Sequence, residues 1–396
     1  MKSIIFLALR YLAYYRWKTG VLVAAISVIL FLPLSLEYVL DHGTERLRAR
    51  AQATPLVLGA PGSAIELMLS TLYFESGNLA PLKYALIDEI HGTMLGRAIP
   101  LQVQYRVGDF PVVGTSPDYF DFRDLKITNG RRLALAGEAV LGALSAKELG
   151  ISPGDSVITT PDTVFDVTGT YPLKLKVVGL LQPTGTQDDY AVFVDVKTSW
   201  IIGGTGHGHE DLARPEASGS VLKRNGKDLV ANASVAAFRE VTPDNMADFH
   251  FHGGVADFPL SAIIVVPRDV KAGVLLEGRY QNPNSSVRVV LPSVVIDNLL
   301  NTVLIVRQYV LAAITFVGVA TLATVALVFS LSIQLRRSEI TTMMRIGAAP
   351  MRIGVILGAE ILLVLAASVF VAGIAMVVVN AWGDALFGWI LMAGNL

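Results

Sequence analysis

Three long apolar segments constrain this chain more than any other feature of its sequence. Residues 20–40, 309–335 and 353–379 are each long enough to cross a hydrocarbon layer ~30 Å thick as a helix rising ~1.5 Å per residue. The first contains Pro33, which is expected to kink a helix. It is longer than a signal-peptide core, and no small-x-small cleavage site follows it, so we interpret it as a retained anchor. The sequence therefore predicts three transmembrane helices.

Basic residues predict how these helices are oriented. Cytoplasmic flanks are enriched in lysine and arginine, and two short flanks carry four basic residues each: Lys2, Arg10, Arg16 and Lys18 before the first segment, and Arg336, Arg337, Arg345 and Arg352 between the other two. Arg46, Arg48 and Arg50 argue weakly for the opposite orientation. We expect residues 1–40 to form a cytoplasmic entry helix and the first transmembrane helix. Residues 336–352 are then cytoplasmic, and residues 41–308 lie on the extracytoplasmic side of the membrane. Residues 380–396, with Trp382, Phe387 and Trp389, are expected to form a short external interfacial tail.

The insert at residues 41–308 has the pattern of a mixed α/β domain. Residues 99–107 and 173–177 alternate apolar and polar side chains as half-buried strands do. Further β-prone runs occupy residues 191–196, 262–266 and 287–291, and helices are predicted at residues 82–90 and 143–149, the latter ended by Gly150. Residues 36–52 and 293–307 have helical spacing that continues the flanking spans, which predicts two stalk helices or, alternatively, two interfacial turns. The fold class is thus an α-helical transmembrane bundle of three spans with a large mixed α/β extracytoplasmic domain after the first.

Several classes of function have no support in the sequence. The formal net charge of −1 gives no indication of nucleic-acid binding, and the absence of cysteine excludes disulfide and thiolate chemistry. A nucleotide-binding loop needs Gly-Lys followed by Ser or Thr, whereas Gly226-Lys227 is followed by Asp228. Neither a zinc-peptidase His-Glu-x-x-His motif nor a Gly-x-Ser-x-Gly elbow is present. We expect the chain not to be an enzyme and not to hydrolyse ATP itself.

The segment between the second and third spans has the pattern of a docking helix. Ile340, Met343, Met344 and Ile346 share one apolar face at helical spacing, and adaptable methionines suit a partner's groove. Arg336, Arg337, Glu339 and Arg345 form a charged rim around it. The alternative is an amphipathic helix that lies on the lipid surface. In the third span, Glu360 would be costly in lipid, which predicts a helix-packing role or, alternatively, a proton or substrate role.

Four of the six histidines form two His-x-His pairs in the insert. They are His207 with His209 and His250 with His252, flanked by Glu210, Asp211 and Asp248. Imidazole with carboxylate suits zinc, copper or nickel, and residues two apart on a strand face the same side. The four histidines are therefore predicted to hold a metal, zinc in the first place. The alternative is that they are loop residues whose pairs never meet.

Several stretches in order along the chain resemble the MacB/FtsX-like permeases, the membrane subunits of type VII ABC transporters. The stretch most characteristic of them, residues 335–350 (Leu-Arg-Arg-Ser-Glu-Ile-Thr-Thr-Met-Met-Arg-Ile-Gly-Ala-Ala-Pro), looks like the cytoplasmic segment that docks their ATPase. The others are residues 8–12 with 16–18, 113–120, 129–132, 140–143, 149–155 and 177–181. The family usually ends with a fourth span and a basic tail, which residues 380–396 do not match.

This resemblance implies a multi-pass protein of the bacterial inner membrane that works with a separate cytoplasmic ABC ATPase, on which ATP binds. Docking is assigned to Glu339, Ile340, Met343, Met344, Arg345 and Gly347. A second permease chain, as a homodimer or heterodimer, membrane lipid and a periplasmic binding protein are further expected partners. The function implied is transmission of ATP-driven movement to the external domain, to move a metal, lipoprotein, lipid or peptide. The alternatives are a regulator of an envelope protein partner without transport and a passive membrane-anchored metal-binding protein.

Overall fold

Long helices occupy both ends of the chain, and strands with shorter helices lie between them. The computed structural model describes residues 2–77, 79–160, 172–208, 221–225, 228–231, 238–281, 286–346 and 349–393. Its helices are α1 (Lys2–Tyr14), α2 (Arg16–Gln52), α3 (Ala64–Tyr73), α4 (Ala85–Gly92), α5 (Pro117–Phe122), α6 (Ala143–Leu149), α7 (Val196–Ile202), α8 (Val270–Tyr280), α9 (Pro292–Leu335), α10 (Arg337–Arg345) and α11 (Pro350–Ala393). Its strands are β1 (Leu56–Gly59), β2 (Leu82–Lys83), β3 (Gly96–Val107), β4 (Phe110–Thr115), β5 (Ile127–Gly130), β6 (Glu138–Leu141), β7 (Ser156–Ile158), β8 (Lys174–Leu181), β9 (Val192–Asp195), β10 (Gly206–Gly208), β11 (Val221–Asn225), β12 (Asp228–Ala231), β13 (Phe249–Phe251), β14 (Pro259–Leu260), β15 (Ala262–Pro267) and β16 (Arg288–Val290).

Helices α2, α9 and α11 are long and apolar enough to cross a membrane, by length and composition, and each contains one of the predicted spans. Helix α2 continues through Pro33 without a break. Helix α9 ends at Leu335, where the second span was predicted to end. Helix α11 differs from the prediction, because it continues through residue 379 to Ala393. Residues 380–393 contain no proline, and their apolar run extends the helix instead of ending it.

The spanning helices belong to one compact unit, made of Met1–Arg48 and Asn298–Leu396. Leu22 and Ile26 of α2 and Val364 of α11 form its small buried core. The Ser27 hydroxyl of α2 also donates a hydrogen bond to the Ser368 carbonyl of α11, at 3.0 Å. Many large apolar side chains of this unit are exposed, as lipid-facing residues would be, among them Phe316, Val319, Leu362 and Val369.

The other compact unit, Ala49–Asp297, is the mixed α/β domain. Ten of the described strands form one sheet in the order β16-β1-β15-β3-β4-β9-β6-β8-β5, with β7 paired to β8. The pairs β4–β9 and β6–β8 are parallel and the others antiparallel. All five predicted strands overlap strands of this sheet, namely β3, β8, β9, β15 and β16, although the runs predicted at residues 191–196 and 287–291 are one residue too long at each end.

The two predicted helices of this domain had different outcomes. Helix α6 has the predicted bounds, and Gly150 ends it in the left-handed conformation at φ 67°. The helix predicted at residues 82–90 begins later, at Ala85, because residues 82–83 form strand β2. Leu82 pairs with Leu260 of β14 and is buried there. This pairing with a strand far along the chain overrides the local helical pattern.

Candidate functional site

Strands β10 and β13 form a small antiparallel ribbon that contains His207 and His250, and His252 directly follows it, so three of the four predicted metal-binding histidines lie here. Its register pairs His207 with His250, Gly206 with Phe251 and Gly208 with Phe249. Because side chains alternate across a strand, the histidines and the phenylalanines lie on opposite faces. The histidine face therefore collects residues from both His-x-His pairs.

The phenylalanine face explains the glycines of this ribbon. A Cβ atom added at Gly206 would lie 2.5 Å from the Phe251 ring, and one at Gly208 would lie 2.6 Å from the Phe249 ring. Only glycine leaves room for rings that cross the neighbouring strand this closely. The same two rings line a cavity of about 300 Å³, together with Ala134, Leu135, Ala136, Asp195, Lys197, Ile201, Val241 and Met246.

On the other face, the ring nitrogens of three histidines converge. One nitrogen each of His207, His250 and His252 lie within 4.8 Å of one another. The Nε2 atoms of His207 and His252 are 3.4 Å apart. The His252 amide donates to the Thr205 carbonyl at 3.1 Å, which extends the strand pairing to that residue. The two pairs thus meet in space through these three histidines.

The structure places the other predicted metal ligands less favourably, or does not describe them. His209, Glu210 and Asp211 lie outside the described residues. The cluster holds only histidines in the described part of the chain. Asp248, predicted to supply carboxylate oxygens, instead places its backbone carbonyl 3.4 Å from His250 Nδ1.

The predicted docking segment contains helix α10. Ile340 and Met343 are half-buried within the chain, while Met344 is 43% exposed and Ile346 80% exposed. Arg345 is exposed in the last turn, Glu339 lies within the helix, and Gly347 falls outside the described residues. The apolar surface available to a partner is therefore centred on Met344 and Ile346, at the C-terminal end of the predicted face.

Arg336, which the sequence placed in the charged rim of this helix, faces inward instead. Its guanidinium lies 3.1 Å from both carboxylate oxygens of Glu360 in α11, with the side chains only 13% and 6% exposed. It also stacks 3.7 Å from the centre of the Tyr11 ring. A charged group inside an apolar bundle is stabilised by such a partner. The rim prediction was wrong for Arg336, and these contacts agree with a packing role for Glu360.

A second buried charge cluster lies in the α/β domain and was missed by sequence reasoning. Arg50, in the last turn of α2, forms an ion pair of 2.7 Å with Asp188, and the two side chains are 7% and 2% exposed. Asp188 also accepts from the Tyr119 hydroxyl at 2.7 Å and from the Thr186 hydroxyl at 2.8 Å. Arg50 donates to the Leu72 carbonyl as well. The only sequence signal was Arg50 as an unexplained basic residue beyond the first span.

The electrostatics of this cluster favour the ionised pair. Burial alone would raise the pKa of Asp188, but the charge and hydrogen bonds of Arg50, the charge of Arg123 and the hydrogen bond from Tyr119 outweigh it and lower the pKa to about 2. For Arg50, burial acts to lower the pKa, and Asp188 more than reverses this. Burial raises the pKa of Tyr119, which stays a hydrogen-bond donor. The cluster holds the end of α2 against the sheet domain through charged, fully partnered groups.

Helices able to span a membrane, together with a large mixed α/β domain, define a membrane protein with a sizeable domain outside the lipid. Residues 47–248 match the family model of the MacB-like periplasmic core domain. The chain belongs to the MacB/FtsX-like family, the type VII ABC transporter permeases. This confirms the family resemblance predicted from the sequence.

Solved structures give two further similarities. The crystal structure of the periplasmic region of MacB from Actinobacillus actinomycetemcomitans is 13% identical, with 63% of this chain and 95% of that chain covered and a TM-score of 0.35. The extracellular domain of the noncanonic ABC-type transporter YknZ from Gram-positive bacteria is 15% identical, with 59% and 98% covered and a TM-score of 0.32. No curated protein sequence matches this chain.

Proposed function

We propose that the chain is a permease subunit that transmits movement of a separate cytoplasmic ABC ATPase to its own external α/β domain. The observation that carries this proposal is helix α10, a short amphipathic helix between two candidate spans, in which Met344 is exposed and which is followed by the exposed Ile346. An exposed apolar patch on a short helix suits a partner's groove. Family membership supports a cytoplasmic ABC ATPase as that partner.

Two rigid features support a mechanical role. The Arg336–Glu360 ion pair holds the residue that precedes α10 to helix α11, so displacement of α10 is passed to a span rather than absorbed by a loose connection. Helix α2 is unbroken over 37 residues and helix α9 over 44 residues. We propose that these two helices transmit the movement to the α/β domain. Arg50, in the last turn of α2, holds that end through Asp188.

The remaining parts of the assembly follow from the same proposal. ATP binds to the partner ATPase, and a second permease chain, identical or related, completes a dimer in the inner membrane. The work is done on a substrate outside the membrane, a metal, lipoprotein, lipid or peptide, with a periplasmic binding protein as a further partner. Lipid covers the exposed apolar side chains of the spans.

The docking helix gives the direct test of this proposal. Met344→Asp places a charge in a contact that is desolvated when the ATPase is bound, and such changes cost about 2 kcal/mol or more. We expect the ATPase to dissociate during copurification while the permease keeps its elution volume and thermal stability. Ser338→Asp is the matched control, because Ser338 is exposed in the first turn of α10, away from both Met344 and Ile346. Retention of the ATPase by Met344→Asp would assign α10 to the lipid surface instead.

The orientation has its own test, which the absence of cysteine makes simple. We expect a cysteine at Lys271, exposed in α8, to react with an impermeant thiol reagent in spheroplasts, because the α/β domain is external. A cysteine at Ser338, exposed in α10, should react only after the membrane is permeabilised. The reverse labelling pattern would invert the orientation predicted from the basic flanks.

A further inference from the structure

We infer that the β10–β13 ribbon is a surface binding site for one Zn²⁺ ion, held by His207, His250 and His252. This site rests on the geometry of the α/β domain alone and does not depend on the proposed transport mechanism. Its ligands come from two strands separated in sequence, which the register of the ribbon places side by side.

The spacing of the nitrogens fits a tetrahedral ion. Zinc binds imidazole nitrogen at about 2.0–2.1 Å, so two nitrogens at tetrahedral angles around it lie roughly 3.3–3.4 Å apart. The Nε2 atoms of His207 and His252 are separated by 3.4 Å. One nitrogen of His250 lies within 4.8 Å of a ring nitrogen of each of the other two histidines, and because His250 is not buried, a small side-chain rotation can bring it to the tetrahedral spacing.

The donor set selects the class of ion. Three imidazoles and no carboxylate, among the described residues, suit zinc and the neighbouring borderline metals. They do not suit Mg²⁺ or Ca²⁺, which require oxygen ligands. The described residues supply three ligands, and a tetrahedral ion completes its shell with a fourth ligand, either a water molecule or a further side chain. Because none of the three rings is buried, the ion can enter and leave from solvent.

Two neighbouring features support the ligands. The Asp248 carbonyl lies 3.4 Å from His250 Nδ1, and an Nδ1 proton directed at it leaves Nε2 of His250 for the metal. On the opposite face, the rings of Phe249 and Phe251 are seated over Gly206 and Gly208, which holds the histidine face outward. An ion bound across the ribbon would therefore link two short strands, and the phenylalanine face of the same ribbon lines the cavity of about 300 Å³.

The test is zinc titration of the full-length, tag-free permease in detergent by calorimetry, followed by hydrogen exchange with and without zinc. We expect one ion per chain and zinc-dependent protection of the amides of β13. Replacement of His207, His250 or His252 by alanine should weaken binding at least about tenfold and remove the protection, since loss of even an outer-shell partner weakens metal binding about 10–100-fold. Because the chain has no cysteine, thiolates do not compete.

Three controls make the result decisive. His91→Gln changes a histidine outside the cluster and keeps an acceptor for the Ala98 amide, so it should bind zinc as the wild type does. Glutamine in place of each cluster histidine keeps a polar side chain and should reproduce the alanine result, which separates ligand loss from misfolding. Mg²⁺ and Ca²⁺ should give no binding heat. No zinc uptake, or uptake that all three cluster variants retain, would overturn the site.

Discussion

Replacement of Asp188 by alanine is expected to destabilise the α/β domain by about 3–5 kcal/mol, because it leaves the buried Arg50 guanidinium without its carboxylate. For a domain of this size, each kcal/mol lowers the melting temperature by about 2–4 °C. The unfolding transition should therefore move down by roughly 6–20 °C. It can be followed by tryptophan fluorescence of the full-length protein, because Trp200 is buried in this domain. Arg50→Ala should have an effect of similar size.

The matched control is an ion pair at the surface of the same domain. Arg97 and Asp118 are 3.1 Å apart, but their side chains are 45% and 43% exposed. Exposed pairs contribute only about 0–1 kcal/mol, so Arg97→Ala should leave the transition almost unchanged. Equal shifts for Asp188→Ala and Arg97→Ala would contradict the role assigned to the buried cluster.

The same pair predicts how stability depends on pH. The folded pKa of Asp188, about 2, lies below the value of about 3.9 for an unfolded aspartate. A depressed folded pKa contributes stability that is complete above about pH 3.9 and lost as the pH falls toward 2. Between those limits, the wild type should therefore lose more stability than Asp188→Asn, measured as the midpoint of thermal unfolding at each pH. Parallel pH profiles for the two proteins would exclude this linkage.

Replacement of Glu360 by methionine is expected to destabilise the helical unit by a similar amount, about 3–5 kcal/mol, because the carboxylate that Arg336 contacts inside the bundle is removed. Detergent-solubilised protein should show a lower melting temperature and a lower yield of monodisperse material. Arg337→Met is the control, since Arg337 is the exposed neighbour of Arg336. It should have little effect.

The double variant Arg336→Met with Glu360→Met separates packing from proton chemistry. Methionine is flexible and apolar, and replacement of a whole buried ion pair by apolar side chains is often neutral or stabilising. We therefore expect the double variant to recover the stability that Glu360→Met loses. Recovered stability together with lost ATP-driven activity would show that the Arg336–Glu360 pair does more than hold the helices together.

Features that depend on neighbours in the sequence were predictable. Residues 20–40, 309–335 and 353–379 are recognisable as spans because a helix in lipid must satisfy its own backbone, which only a long apolar run allows. The helix at residues 143–149 and its end at Gly150 follow from local periodicity and from the left-handed conformation that glycine tolerates. The strand at residues 99–107 follows from its alternation.

Features that depend on contacts between distant parts of the chain could not be predicted from the sequence. Leu82 begins a strand rather than a helix because Leu260 pairs with it. Two His-x-His pairs were visible in the sequence, but only the register of β10 with β13 decides that His207 faces His250. Similarly, Arg50 and Asp188 are 138 residues apart, and nothing near either one indicates the other.

The physical reason is the range over which each interaction acts. Helix propensity, capping and transfer into lipid are determined within about one or two turns of chain, so the sequence alone predicts the spans and much of the secondary structure. Charges and metal ligands act only at contact distance, and the sheet and the helical bundle decide which of them make contact. Tertiary structure therefore determined that Arg336 turns inward to Glu360 while Met344 remains exposed on the surface of α10.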